Sequence, residues 1–166
     1  TQLRRLRSDI QLKDLRGNVP TRINKLRNGD YDAIVLATAG LKRLELDLSD
    51  LKTIELDPTI FIPAPAQGVL GLQIRETDTE LQAALKAIHH EGVSELIAIE
   101  RGVLRSMEGG CQLPLGVYCT KEADNWVVYT SFTDEKDAEA EVNSYQSETS
   151  EGLIETIVDD LQDAIR

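Results

Sequence analysis

A thiol beside two glycines is the feature of this sequence best suited to chemistry. Cys111 stands in the tetrad Gly109-Gly110-Cys111-Gln112, and Leu113-Pro114-Leu115-Gly116 follows it. Two glycines next to a cysteine leave room for a bulky group and let backbone N–H groups approach the sulfur. A helix end with an incidental cysteine is the alternative interpretation. The chemistry that the pattern suggests is covalent modification of the Cys111 thiol.

The segments around Cys111 are predicted to be a helix and a strand. Across residues 94–107 the apolar side chains recur at close to the three- and four-residue spacing of an amphipathic helix. Across residues 115–120 apolar and polar side chains alternate, as in a half-buried strand. Cys111 is therefore expected to lie on the connector between these two elements.

A basic region near the start of the chain could bind an anion. Arg16 directly follows a short predicted strand, residues 10–15, and Arg22 lies in the first turn of a helix that begins at Pro20. Helix N-termini favour negative charge, and the arginine fork can hold a carboxylate through two hydrogen bonds. The alternative is that both arginines pair with nearby carboxylates, those of Asp14, Asp30 and Asp32.

A strand, a helix and a second strand follow one another in this region. Residues 33–37 are almost continuously apolar, as in a strand buried on both faces of a parallel sheet, so the three elements are predicted to form a βαβ unit. Arg43 closes the loop after the second strand and could reach the same anion. Five other basic residues are expected to be no more than solvated helix faces: Arg4, Arg5, Arg7, Lys25 and Arg27.

Helices and strands alternate along the rest of the chain. Brief strands are predicted at residues 60–62 and 69–74, and a helix at 79–90 is expected to face inward with Leu81, Ala84, Leu85 and Ile88. After the helix that ends at Met107 we expect three strands and an amphipathic helix, near residues 115–120, 126–132, 140–146 and 152–165. Antiparallel strands with helices over one face make a small α+β domain.

Composition limits the possible function classes. With 166 residues and 41% hydrophobic content the chain can bury a core. Residues 1–43 hold ten Lys or Arg against four acids, whereas residues 44–166 hold eight against 25. The acidic body and the 4% aromatic content argue against nucleic-acid binding. No apolar run approaches the roughly 20 residues of a membrane span, so no membrane partner is expected.

Metal binding is not expected either. Cys111 and Cys119 are eight positions apart, which is neither a metal-ligand spacing nor a disulfide framework. His89 and His90 are adjacent, so on a helix their side chains would diverge. Reduced thiols in a cytoplasmic protein are the simplest interpretation, and an organelle stroma stays open as the location.

Several blocks of the sequence closely resemble the porphobilinogen deaminase family. Residues 108–116, Glu-Gly-Gly-Cys-Gln-Leu-Pro-Leu-Gly, are similar to the loop to which that family attaches its cofactor. Four other blocks occur in the family's order: residues 15–22, 31–37, 39–44 and 65–71. The resemblance runs from the first residues to about Gly116, and the rest of the chain agrees in pattern more than in motif.

The resemblance implies a transferase of porphyrin (tetrapyrrole) biosynthesis, which includes heme biosynthesis. Such an enzyme joins four porphobilinogen molecules head to tail with loss of ammonia, and it builds on a dipyrromethane cofactor held by a thioether. By resemblance the thioether is at Cys111, and Gly110 belongs to the cofactor site. The same resemblance assigns Arg16 and Arg22 to cofactor and substrate and Arg43 to substrate, each binding acetate and propionate side chains.

The resemblance also implies a domain organisation. Residues 1–63 are similar to most of the family's second domain, of periplasmic-binding-protein-like fold, residues 64–88 to a segment that crosses back to the first domain, and residues 89–166 to the C-terminal domain. Gln67 and Gly68 would approach substrate from the hinge, although a strand whose glycines serve packing is the alternative. The family's catalytic aspartate belongs to the first domain, which has no counterpart here, so no catalytic residue is assigned and the chain alone is expected to be inactive.

A second function class stays open on the sequence alone. A non-catalytic module of the solute-binding type could hold a carboxylated ligand through Arg16 and Arg22 without changing it, and Cys111 would then be dispensable. Under the enzyme interpretation we expect a monomer whose partners are porphobilinogen and the absent first domain.

Overall fold

The computed structural model describes residues 2–107, 113–133 and 139–163. These ranges hold six α-helices, one 3-10 turn (Lys86–Ile88) and three strands. Their bounds are α1 (Gln2–Leu6), α2 (Val19–Arg27), α3 (Thr38–Leu44), α4 (Thr79–Leu85), α5 (Glu91–Ser106), β1 (Leu115–Glu122), β2 (Asn125–Phe132), β3 (Glu141–Ser147) and α6 (Leu153–Asp163). The chain divides into two compact units, one formed by Asp9–Leu56 and the other by Thr1–Ser8 together with Asp57–Arg166.

The larger unit is built on an antiparallel sheet in the order β1-β2-β3. Cys119 of β1 lies opposite Val128, and Val128 lies opposite Tyr145 of β3. The turn between β1 and β2 places Ala123 in the left-handed region, with φ of 53°. The three predicted strands are therefore confirmed.

Helices α5 and α6 pack on one face of this sheet. Their apolar stripes supply Val103 and Ile157, which are fully buried and join the core cluster that contains Val117 and Val128 of the sheet. His90 caps α5 by accepting a hydrogen bond from the Val93 N–H at 3.2 Å. An antiparallel sheet with two helices packed on it is the α+β domain predicted for this region, and that prediction is confirmed.

Residues near Ile62 are held by the first helix of the chain. The Gln2 side chain accepts a hydrogen bond from the Ile62 N–H and donates one to the Ile62 carbonyl, both at 2.7 Å. Ile62 itself is almost fully buried. This pairing satisfies both backbone groups of a residue that lies outside any strand.

The smaller unit contains α2 and α3. Helix α2 begins where Pro20 predicted a helix, and the Asn18 side chain caps it by accepting a hydrogen bond from the Thr21 N–H at 2.9 Å. Gly17 precedes the cap with φ of 117°, and a Cβ there would lie 2.9 Å from Thr21 Cγ2. The turn before α2 therefore requires glycine at position 17.

Replacing Gly17 by alanine is expected to destabilise α2 by about 1–3 kcal/mol, because the backbone conformation is costly for a residue with a Cβ. NMR hydrogen exchange of the α2 amides measures this effect. Gly40→Ala is the matched control in the same unit, since a Cβ on Gly40 meets only Val19 Cγ2 at an ordinary 3.7 Å. Equal exchange in the two variants would contradict the requirement for glycine at position 17.

Four segments predicted as strands are not strands. Residues 10–15, 33–37, 60–62 and 69–74 form no ladder in the parts of the chain that the structure describes. The prediction of a βαβ unit is therefore wrong for this chain, although its helix is present. Val35, expected to be buried on both faces, is 50% exposed, and Leu70 is 79% exposed. An apolar run becomes a strand only when a second strand pairs with its backbone, and no described residue of this chain does so.

The helix predicted at residues 79–90 is shorter and more exposed than expected. Regular helix ends at Leu85 and a single 3-10 turn follows. Of the four residues expected to face inward, Leu81, Ala84 and Ile88 are exposed and only Leu85 is half-buried. The apolar residues do recur at helical spacing, but none of the described elements packs on that face of the helix and buries it.

Candidate functional site

Cys111 and Gly110 lie outside the described residues, so the structure describes only the neighbours of the predicted cofactor site. On one side α5 ends at Ser106, with Met107 as its C-cap. On the other side Leu115 opens β1 and its N–H donates a hydrogen bond to the Leu113 carbonyl at 2.7 Å. The helix and the strand predicted on either side of the cysteine are both confirmed.

The second cysteine, Cys119, is a core residue. It is 2% exposed and packs within the cluster between the sheet and the two helices. Burial, together with the nearby Glu100 carboxylate, raises the pKa of its thiol to about 12. Because the thiolate is the nucleophilic form, this thiol is poorly suited to covalent chemistry.

The structure brings Arg22 to the loop that carries Arg16. Arg22 Nε donates a hydrogen bond to the Gly17 carbonyl at 2.7 Å, and Lys25 Nζ donates one to the Arg16 carbonyl at 3.1 Å. The bond to Gly17 uses only the Nε of the guanidinium. The side chain of Arg16 is 88% exposed and lies 4.0 Å from a carboxylate oxygen of Asp14, which is too weak a pair to occupy it.

Arg43 lies elsewhere on the same unit, in the last turn of α3. The starts of α2 and α3 are close together, because a Cβ added to Gly40 would lie 3.7 Å from Val19 Cγ2. The Arg43 side chain is exposed. Its neighbour Lys42 pairs with Glu55 at 3.3 Å. The N-termini of α2 and α3 thus lie close together, whereas Arg43 lies at the C-terminal end of α3.

Arg27 and Lys25 do more than solvate a helix face. Arg27 holds the Asp50 carboxylate through two hydrogen bonds, at 2.8 and 2.6 Å, and also donates to the Asp47 carbonyl at 2.8 Å. The Arg27 guanidinium holds the pKa of Asp50 below its usual range. The expectation of merely solvated side chains is therefore wrong for these two residues. Arg27 closes the loop at 47–50 onto α2, and Lys25 supports the Arg16 loop.

Gln67 and Gly68 lie in a turn rather than a strand. The turn covers residues 65–68, with Ala66 and Gly68 both in the left-handed region at φ of 62° and 78°. Both Gln67 and Gly68 are exposed. The Ala66 N–H donates a hydrogen bond to Glu100 Oε2 at 2.7 Å. An exposed, tightly held turn is a suitable support for a ligand contact through backbone groups.

Glu100 is the residue that sequence reasoning missed. It is 5% exposed, and its second oxygen, Oε1, accepts a hydrogen bond from the Cys119 N–H at 2.9 Å. Burial raises the pKa of Glu100, while the two N–H groups oppose that shift. A signal was present in the sequence, since Glu100 falls four residues after Leu96 and three before Val103, within the apolar stripe of α5.

No helix in the described ranges is long and apolar enough to cross a membrane. The same ranges contain no cluster of three or more His, Cys, Asp or Glu side chains suited to a metal ion. His89 pairs instead with Glu91 at 3.2 Å.

Two protein-family models match the sequence in succession. Residues 1–83 match "porphobilinogen deaminase, dipyromethane cofactor binding domain", and residues 95–162 match "porphobilinogen deaminase, C-terminal domain". The chain belongs to the porphobilinogen deaminase family. The second match includes the segment that carries Cys111. The resemblance inferred from the sequence blocks is thus confirmed, and a non-catalytic solute-binding module is not supported.

Curated porphobilinogen deaminases are also similar to this chain. That of Fusobacterium nucleatum is 45% identical over 80% of this chain and 44% of its own length. That of Maridesulfovibrio salexigens is 43% identical over 86% of this chain and 45% of its own length. That of Roseiflexus sp. is 49% identical over 74% of this chain and 40% of its own length. The chain spans about half the length of these relatives. Members of the family are transferases of tetrapyrrole biosynthesis that carry a dipyrromethane cofactor.

Proposed function

We propose that this chain is the C-terminal part of a hydroxymethylbilane synthase, which condenses four porphobilinogen molecules head to tail with loss of ammonia. Membership of the porphobilinogen deaminase family, shown by matches over residues 1–83 and 95–162, is the observation that carries the proposal. Each condensation forms one carbon–carbon bond, and the amino group of the incoming molecule leaves as ammonia. The dipyrromethane cofactor supplies the primer on which the pyrrole chain grows.

Cys111 is the proposed attachment point of that cofactor, with Gly110 leaving room beside the sulfur. The chain has two cysteines, and the burial of Cys119 argues against it as the alternative. A stable thioether fits the role of an anchor, since the thiol then takes no part in each turnover. The Cys111 sulfur holds the cofactor while other groups of the protein bind its carboxylates.

Arg16, Arg22 and Arg43 are the proposed partners of the acetate and propionate groups on cofactor and substrate. A guanidinium holds a carboxylate through two parallel hydrogen bonds, which matches the chemistry of these ligands. Arg16 and Arg22 are supported most directly, because Arg22 donates a hydrogen bond to the carbonyl of Gly17, the residue that follows Arg16. Gln67 and Gly68 are proposed to contribute contacts to substrate from their exposed turn.

The domain organisation is proposed on the same basis. We assign residues 1–63 to a second domain of periplasmic-binding-protein-like fold, 64–88 to a segment that pairs with a preceding first domain, and 89–166 to the C-terminal domain. The apolar side chains of Val69, Leu70 and Leu72 are exposed. Their exposure supports the proposal that the crossing segment pairs with strands of the first domain. A cytoplasmic monomer also stays a prediction.

The test of this function is the rate of porphobilinogen consumption by the longer protein encoded when the region upstream of Thr1 is included. Replacing Arg22 by glutamine is expected to raise KM by about 10- to 100-fold, because a charged hydrogen bond to a carboxylate is worth about 1.5–3 kcal/mol. The KM of Arg22→Lys should lie between those of the unaltered protein and Arg22→Gln, since lysine keeps the charge and loses the planar fork.

Lys52→Gln removes one exposed positive charge from the same unit and is the matched control, with KM expected to stay within about twofold. Residues 1–166 alone serve as the blank and should give no product. Failure of the unaltered longer protein to consume porphobilinogen would reject the proposed function. An unchanged KM in Arg22→Gln would reject only the assignment of Arg22.

A further inference from the structure

The free edge of β1 is closed by groups from outside the sheet. Val117 and Cys119 direct their N–H groups away from β2, to the Pro63 carbonyl at 2.9 Å and to Glu100 Oε1 at 2.9 Å. An edge strand presents unpaired N–H groups that must find a partner when they are buried. One of the two partners here is a side chain of α5.

The same carboxylate holds a second backbone group. Glu100 Oε2 accepts the Ala66 N–H at 2.7 Å, so the two oxygens bind two N–H groups from segments 53 positions apart, at Ala66 and Cys119. Ala66 is in the left-handed region, which is unfavourable for a residue with a Cβ and persists only where surrounding contacts impose it. A carboxylate suits this arrangement, because each of its two oxygens accepts one of the two N–H groups, whereas an amide in the same place would turn its NH2 group toward one of them.

The residues that follow Ala66 are the proposed substrate contacts. Gln67 and Gly68 are exposed, whereas Ala66, which precedes them in the turn, is half-buried and is held by its hydrogen bond to Glu100. Glu100 also lies on the helix that ends at Ser106, five residues before the proposed anchor Cys111. Glu100 thus links α5, the helix that leads to Cys111, with the turn proposed to contact substrate.

We propose that Glu100 is a positioning residue, which fixes the turn of Gln67 and Gly68 against β1 by binding the N–H groups of Ala66 and Cys119 together. The inference rests on the proposed function, because the importance of the turn derives from its substrate contacts. A purely structural role is the competing explanation. It predicts a general loss of stability when Glu100 is changed, whereas positioning predicts a local change at the turn and weaker binding of substrate.

The local effect is measured in this chain by NMR hydrogen exchange. In Glu100→Gln the amide has a single acceptor oxygen, so at least one of the Ala66 and Cys119 N–H groups should exchange about tenfold faster or more. The amides of Val103 and Val128 in the core should stay within about twofold of the unaltered chain. Glu95→Gln is the matched control: Glu95 lies on the same helix and pairs with Lys121 of β1 at 2.7 Å. It should leave the Ala66 and Cys119 amides unchanged.

A measurement on the unaltered chain keeps the test decisive even where Glu100→Gln folds poorly. The amide proton signals of Ala66 and Cys119 should move together, with one midpoint, as acid protonates Glu100. Independent midpoints for the two amides would overturn the shared contact. Core amides that accelerate in Glu100→Gln as much as Ala66 would overturn the positioning role.

The functional effect is measured in the longer protein. Glu100→Gln should raise KM for porphobilinogen by about three- to tenfold, with intact mass showing the cofactor still attached and kcat changed less, since the loss is one of positioning. Faster Ala66 exchange with an unchanged KM would overturn the positioning role. Absence of turnover in the unaltered longer protein would instead overturn the proposed function, so the two failures are distinguishable.

Discussion

Replacing Cys111 by serine in the longer protein is expected to abolish covalent attachment of dipyrromethane and to lower the rate of product formation by at least about 10³-fold. The magnitude follows from tethering, which replaces a bimolecular encounter by an intramolecular one with a high effective concentration. A serine hydroxyl is a far weaker nucleophile than a thiol and should not form the corresponding bond. Intact mass spectrometry of protein from the producing host measures attachment, and porphobilinogen consumption measures activity.

Cys119→Ala is the matched control for this experiment. It removes the other sulfur of the chain and, as a small change in the core, should cost about 1 kcal/mol of stability while leaving the adduct in place. An adduct that survives in Cys111→Ser and disappears in Cys119→Ala would show that Cys119, and not Cys111, carries the cofactor. Full activity of Cys111→Ser would reject the anchor altogether.

Alkylation is expected to separate the two thiols of residues 1–166 by about 10³-fold at pH 8. The pKa of Cys119 is raised from 9.0 to about 12, chiefly by burial, so about one molecule in 10⁴ carries the thiolate at that pH. An accessible thiol of ordinary pKa, about 8.5, is roughly one quarter ionised under the same conditions. Iodoacetamide followed by peptide mass spectrometry measures both rates, and Cys111, as the proposed anchor, should react at the faster one.

The dependence on pH and on folding provides the controls. In 6 M guanidinium, a condition chosen to unfold the chain, both cysteines should react alike, because burial no longer disfavours the Cys119 thiolate. In the folded chain the rate at Cys119 should rise about tenfold for each unit of pH between 8 and 10. Equal labelling of the two cysteines in the folded chain would show that Cys119 is not the buried thiol described here.

The C-terminal part of the fold was predictable from local pattern. The alternation of apolar residues in β1 and the helical spacing in α5 and α6 each specify one element and its buried face. Connections between the three strands are short, so the strands that follow in the sequence also pair in space. The described members of the core cluster that buries those faces all lie within residues 89–166.

The strands predicted before residue 75 failed for the opposite reason. Residues 33–37 and 69–74 have strand-like composition, but an isolated apolar run has no ladder until a partner strand arrives from elsewhere. An apolar composition indicates that a segment can be buried between partner strands. It does not indicate whether those partner strands belong to the same part of the chain. Val35 and Leu70 are accordingly exposed in the described structure.

Sequence by itself determined the family, the helix and strand around Cys111, and the arginines suited to carboxylates, because motifs and periodicities are properties of neighbouring residues. Tertiary structure alone decided that Cys119 is a buried thiol of raised pKa, that Arg22 and Lys25 hold the Arg16 loop, and that Glu100 joins Ala66 to β1. Burial and hydrogen bonding between distant segments set these properties, and their energies depend on which groups packing removes from water.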